Sequence, residues 1–221
     1  MSKGVSIEDL RKKLHSKTFE SIVRRLKIGS KEDALNEIER AIRKSLLEMT
    51  KNSKFYQNDE EEKLTYHLKV HLENRGFDLV TDQDHNGHID LTVYYFDVDQ
   101  DIEVTWLGEA KISNGPAYLY GGMQQLLTRY SAGCMDRSGG LIIYNRNINI
   151  IQTTNNWRNF LNNLDEDDLI SLHYDCDKIE LLKCGDDVDT HDFETYHIHP
   201  KSKLKYRVMH FYANLYHNPS K

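Results

Sequence analysis

With 221 residues and 38% hydrophobic content the chain can bury one sizeable core, and no apolar run approaches the ~20 residues needed to span a membrane. Its cysteines, Cys134, Cys176 and Cys184, are odd in number and form no C-x-x-C pair, and the N-terminus MSKGVSIEDLRKKL lacks the apolar stretch of a secretory signal. A disulfide framework, a structural zinc site and export are set aside, and a reducing, cytoplasmic setting is expected. The net charge of −6 is uneven: residues 11–54 hold thirteen Lys or Arg against six Asp or Glu, a net of +7, and residues 1–10 carry −1, so the remainder carries −12. A basic arm precedes an acidic body, which reads either as a phosphate-facing arm or as ordinary solvated helix faces.

Residues 5–28 are predicted to be helical, with Ser6 as a cap and Ile7, Leu10, Leu14, Ile22 and Leu26 roughly on one face. Gly29 breaks that helix and Ser30 can cap the next, whose stripe is Leu35, Ile38, Ile42, Leu46 and Met49. The two make an N-terminal helical hairpin, and 1–57 is taken as a helical arm with 50–58 as connector. A third helix over about 59–75 repeats Leu64, Leu68 and Leu72 every four residues and ends at Gly76.

From there the pattern turns to strands. FDLVTD is a short strand, DQDHNG a turn, HIDLTVYYF a strand, DVDQD a turn and IEVTWLGEAKI another strand, broken by NGP. Residues 117–131 are predicted helical despite Gly121 and Gly122, 140–151 contain an apolar strand, and NWRNFLNNL is a helix. KIELLKC and FETYHIH are candidate strands, whereas KYRVMHFYANLY fits helix or strand. This order implies an α/β fold, a mixed central β-sheet flanked by helices, over residues 58–221.

Strand alternation puts Glu109 and Lys111 on one face, about 6.6 Å apart at ~3.3 Å per residue. If the strand carrying Asp90 pairs with theirs, two carboxylates and an amine converge. Their neighbours Val104, Trp106, Leu107, Ala110 and Ile112, and Ile89, Leu91 and Val93, are apolar. Charges so flanked are costly unless paired or bound to metal, which weighs against a surface ion pair. Two carboxylates suit a hard cation such as Mg²⁺, which stabilises charge on a phosphoryl oxygen and acidifies a bound water, while a lysine orients that water.

GHIDL, then GEAKI, then a helix with MQQLLTRY, resembles the PD-(D/E)XK nuclease superfamily over about residues 59–145, with Ile89 where the proline would stand. The resemblance implies a restriction-endonuclease-like core and Mg²⁺-dependent cleavage of nucleic-acid phosphodiesters, with Mn²⁺ able to substitute. It assigns Asp90 and Glu109 to the metal and Lys111 to the water. It also implies a metal-site glutamate on the first core helix, for which Glu60, Glu61 and Glu62 compete and Glu61, in line with Leu68, is preferred. A glutamine on the following helix, Gln125 ahead of Gln124, would steady the water or a phosphate, with Arg129 and Tyr130 beside it. The implied partners are nucleic acid, DNA ahead of RNA, a second copy of the chain for two-strand cutting, and a partner protein for recognition. The implied setting is defence against foreign DNA, with repair or resolution as the alternative.

Two other classes compete. One is a catalytically silent fold of the same kind acting as a binding or assembly module. The other is a histidine metal site built from His191, His197 and His199. Asp97, Asp99 and Asp101 have calcium-loop spacing, but Ile102 and Gly108 stand where that loop needs Gly and Glu, so a hairpin turn is expected. His85 and His88 flank a turn, and His88 shares the face of Asp90. No phosphate-binding G-x-x-x-x-G-K-[ST] is present.

Overall fold

The structure, a computed structural model, describes residues 8, 9, 12, 23–79, 89–134, 137–164, 180–182 and 191–218. Most of the predicted first helix over 5–28, both His85 and His88, Cys176 and Cys184 lie outside these residues.

The described elements are α1 (Lys31–Lys51), α2 (Ser53–Tyr56), α3 (Glu61–Glu73), β1 (Asp78–Leu79), β2 (Leu91–Asp97), β3 (Ile102–Ile112), α4 (Pro116–Gln125) and a π-helical turn (Leu126–Tyr130). They continue with β4 (Ser138–Asn145), α5 (Ile150–Asn163), β5 (Glu180–Leu182), β6 (Phe193–Ile198) and β7 (Lys205–Asn214). One seven-stranded mixed sheet runs β1-β2-β3-β4-β7-β6-β5. The β3/β4 and β4/β7 pairs are parallel and the others antiparallel.

The α/β class follows from how the two sheet faces are covered. On one face α1 (Ala34, Ile38, Ile42, Leu46) and α3 (Leu64, Leu68, Leu72) share a single cluster with Trp106, Ala110, Ile142 and Phe211 of the sheet. On the other, α4, the π-helical turn and α5 (Trp157, Leu161) cover Leu107, Leu141, Ile143 and Val208. Each fully buried leucine of the α3 row contributes roughly 1.5–3 kcal/mol. Residues 31–51, expected to precede the domain, thus pack into the same core as the sheet, and Thr50 Oγ1 accepts from the Asn214 N–H at 3.0 Å.

Local chemistry explains most ends. The Ser30 hydroxyl accepts from the Asp33 N–H at the start of α1. Gly115, at φ 97°, and Pro116 at the first turn of α4 make the NGP break. Asp97 Oδ1 accepts from the N–H groups of Asp99 and Gln100, which closes the β2–β3 hairpin over the three aspartates.

Four boundaries differ from the sequence expectation. Residues 50–58 are not a plain connector, since α1 runs to Lys51 and α2 follows. β2 begins at Leu91, so Asp90 immediately precedes it. The apolar run 140–151 is split: β4 ends at Asn145, whose amide reaches Asn147 O and Asn214 Oδ1, and Asn149 caps α5 through the Gln152 N–H. The tail is a strand, β7, between β4 and β6.

Candidate active site

Asp90, Glu109 and Lys111 come together as the alternation and pairing require. Leu91 pairs with Gly108, which brings Asp90 beside the segment of β3 that carries Glu109. The Asp90 carboxylate is fixed from β3 itself, accepting from the Ala110 N–H at 2.9 Å. Lys111 Nζ lies 2.7 Å from Glu109 Oε1, 3.3 Å from Glu61 Oε1 and 3.9 Å from Asp90 Oδ2. One ammonium is therefore surrounded by three carboxylates from α3, β3 and the residue ahead of β2.

Glu61, rather than Glu60 or Glu62, is the helix glutamate that reaches the cluster. Glu60 is the N-cap residue of α3. Glu61 Oε2 accepts from the Ile112 N–H at 2.7 Å and from the Tyr118 hydroxyl at 3.4 Å. The first turn of α3 is tied to the end of β4. The Thr65 hydroxyl donates to Glu61 O, so at 3.3 Å from Tyr144 its oxygen accepts from the Tyr144 hydroxyl. Arg146 donates to Asp59 O just before the helix. These bonds set where Glu61 points.

Burial shapes the charges. Glu109 is 2% exposed, and desolvation followed by the nearby Asp90 pushes its carboxyl up to about 7, with Lys111 pulling the other way. Burial also raises Asp90, against the Ala110 N–H and Lys111. Burial works against the Lys111 ammonium, but Glu109, Asp90 and Glu61 together outweigh it and hold the lysine protonated above its ordinary range. Glu109 Oε2 is buried with no hydrogen-bond partner among the described residues. An orphaned carboxylate oxygen of this kind is one that a cation would satisfy.

All ligating atoms available here are carboxylate oxygens, the donor type that Mg²⁺ and Mn²⁺ prefer. Asp90 and Glu109 fit as a pair. Among the described residues no three His, Cys, Asp or Glu side chains are arranged to hold one ion, and both Glu61 oxygens are engaged as above. A two-carboxylate site leaves the other positions to water, as Mg²⁺ tolerates.

The side chains the sequence pointed to on the helix after β3 stand at different distances from the carboxylates. Gln125 ends α4 half-buried and makes no hydrogen bond to the carboxylates among the described residues, and Gln124 is likewise half-buried. Arg129 is exposed. Burial, and then the charges of Glu109 and Asp90, raise the Tyr130 hydroxyl. The change from α to π winding at Leu126 alters which side chains share a face, and such turns are common at functional sites. Tyr118 was missed, since a tyrosine in AYLYGG carries no signal of its own. Gly122 lets α4 approach β3, because a Cβ there would stand 2.8 Å from Lys111 Cγ, whereas Gly121 faces open space.

The histidines do other work. His197 Nε2 and His210 Nε2 both meet the Thr195 hydroxyl, at 2.7 and 2.9 Å, and the Trp157 indole donates to His210 Nδ1. Burial lowers both histidines, His197 to about 3, so they are neutral core groups. His199 Nδ1 accepts from the N–H groups of Lys201 and Ser202. His191 is half-exposed, in the left-handed region at φ 57°.

Comparison of the chain with models of protein families, with curated proteins and with solved structures finds no match.

Proposed function

We propose that this protein is a metal-dependent nuclease that hydrolyses nucleic-acid phosphodiesters, DNA ahead of RNA, on a restriction-endonuclease-like core. One observation carries the reading: Lys111 Nζ lies within 4 Å of three carboxylates, Asp90, Glu109 and Glu61, on a buried strand. Structural ion pairs rarely gather three acids around one base inside a core, because two uncompensated carboxylates remain. A divalent cation would neutralise them.

Asp90 and Glu109 would hold Mg²⁺ or Mn²⁺, which supplies Lewis acidity toward a phosphoryl oxygen and acidifies water. Lys111 contributes a positive charge beside the non-bridging oxygens of the five-coordinate phosphorus and orients the attacking water. Glu61 fixes Lys111 through its Oε1 and the end of β3 through its Oε2. Ala110 N–H aims Asp90. The exposed Tyr118 hydroxyl donates to Glu61 Oε2 beside the cluster. Symmetric two-strand cutting would use two copies of the chain, and a role against foreign DNA is the biological setting this reading favours.

The test is cleavage of supercoiled plasmid, linear DNA and RNA with Mg²⁺, with Mn²⁺ and with chelator, beside Asp90→Ala and Lys111→Ala. Metal-dependent cutting lost in both variants supports the proposal, and cutting that persists in both refutes the site. A second reading, a silent module of the same fold, is favoured by the hydrogen bonds Lys111 already makes to Glu109 and Glu61 and by the absence of a three-ligand set among the described residues. Calorimetric Mn²⁺ titration of wild type against Asp90→Ala separates them, since the silent module binds no metal in either form.

A further inference from the structure

A second charged site lies on the other side of the molecule from α4. A cleft of about 510 Å³ opens between α1, the end of α3 and Arg24, within the size range of ligand pockets. Arg40, Lys44 and Lys51 line it from α1, and Arg75 from the segment after α3. With Arg24 that makes five permanent cations, against two carboxylates, Glu37 and Glu48. This concentration stands in a protein whose net charge is −6.

The spacing is built into α1. Glu37, Lys44 and Lys51 recur every seven residues and so lie on one stripe, next to the buried stripe of Ile38, Ile42 and Met49. Lys44 and Lys51 are exposed. Arg40 pairs with Glu37, and Arg75 with Glu48 at 2.9 Å, so the two acids hold two of the cations in place without cancelling the set. Two further cations of the cleft also act on Glu37: burial pushes its carboxyl up, and Arg24 and then Lys44 pull it down. Oriented guanidinium forks with nearby ammonium groups are the chemistry that recognises phosphate oxygens. Glu61 and Glu73 bound α3, so about 18 Å of helix at ~1.5 Å per residue separates the cleft from the carboxylate cluster.

We propose that this cleft is a binding site for a compact polyphosphate ligand, such as a nucleoside triphosphate, distinct from the Asp90–Glu109–Lys111 cluster. A concave cleft of this volume encloses a few phosphates, whereas a nucleic-acid strand needs an open track. The site stands whether or not the carboxylate cluster is a nuclease centre.

The experiment titrates the full chain, in chelator so that no metal loads the carboxylates, with sodium tripolyphosphate, with ATP and with a short single-stranded DNA. Calorimetry and thermal melting read the binding. Lys44→Ala with Lys51→Ala is compared with Lys31→Ala with Lys201→Ala, which removes the same charge from exposed positions elsewhere. The expected result is that tripolyphosphate and ATP bind and raise the melting temperature. Affinity should fall at least about tenfold in the first double variant only. No binding of either phosphate overturns the proposal, as does equal weakening in the two double variants. Binding of the DNA alone overturns it too, and makes the cleft part of a strand-binding track.

Discussion

Replacing Glu109 by glutamine should make the metal-free protein more stable at alkaline pH and change little in acid. The carboxyl titrates near 4.5 in the unfolded chain and at about 7 in the fold, where it is buried beside Asp90. Between those values the folded state holds a proton that the unfolded state has released, so stability falls as pH rises through the window. At ~1.4 kcal/mol per pH unit the whole window is worth about 3 kcal/mol, of which about 2 kcal/mol falls between pH 5.5 and 8.5. Glutamine resembles the protonated acid in shape and cannot ionise, so this loss disappears. The buried histidines act in the opposite sense: His197, held neutral down to about 3, withdraws stability as pH falls below 6.5. They are common to both proteins and cancel in the difference. Urea unfolding of wild type and Glu109→Gln at pH 5.5 and 8.5, in chelator, gives the four free energies required. Parallel pH dependence of the two proteins would refute the argument that burial and Asp90 destabilise the charged carboxylate. Saturating Mg²⁺ at pH 8.5 should restore the wild type, by ~2.7 kcal/mol at a hundredfold excess over Kd, and do less for the variant.

Gly122→Ala should displace Lys111 and depress metal-dependent cleavage sharply, because the added methyl meets Lys111 Cγ at 2.8 Å and Leu141 Cδ1 at 3.2 Å. Gly121→Ala, facing open space on the same helix, should leave cleavage intact and raise stability by roughly 0.5–1 kcal/mol in thermal melts. Trp157→Phe removes the donor to His210 Nδ1 in a fully buried setting and should cost about 1–3 kcal/mol in urea unfolding at neutral pH. Leu68→Ala, at the centre of the α3 row, should cost about 2–5 kcal/mol with no change in the unfolding slope.

The carboxylate–lysine cluster was legible because it depends on the two most local regularities in the chain. Alternation fixes Glu109 and Lys111 on one face, and a short hairpin fixes Asp90 beside them. Glu61 was legible from the row of leucines that orients α3. Gln125 came from the resemblance alone, and it closes the α-helical part of its helix just before the winding widens to π at Leu126, a change no sequence period announces. β7 was undecidable from periodicity, since a strand buried on both faces shows no alternation. Its polar residues conceal the burial: Arg207 pairs with Glu39 and Glu194, and His210 with Thr195 and Trp157. Such partners are 13 to 168 residues away in sequence, beyond the reach of any local pattern.

The place of β7 also has a consequence for how the chain comes to be folded. Residues 205–214 fill the gap between β4 and β6. Until that strand has left the ribosome, β4, an unbroken row of buried residues, has one edge with nothing to pair against. α1 likewise lacks the strand that carries Phe211 and Ala213 into its cluster. The elements of the carboxylate cluster are all synthesised before the strand that secures β4, the strand whose end holds Glu61 in place. A nascent chain halted before residue 205 would thus present a sticky sheet edge, and chaperone occupancy during translation should peak between β4 and β7.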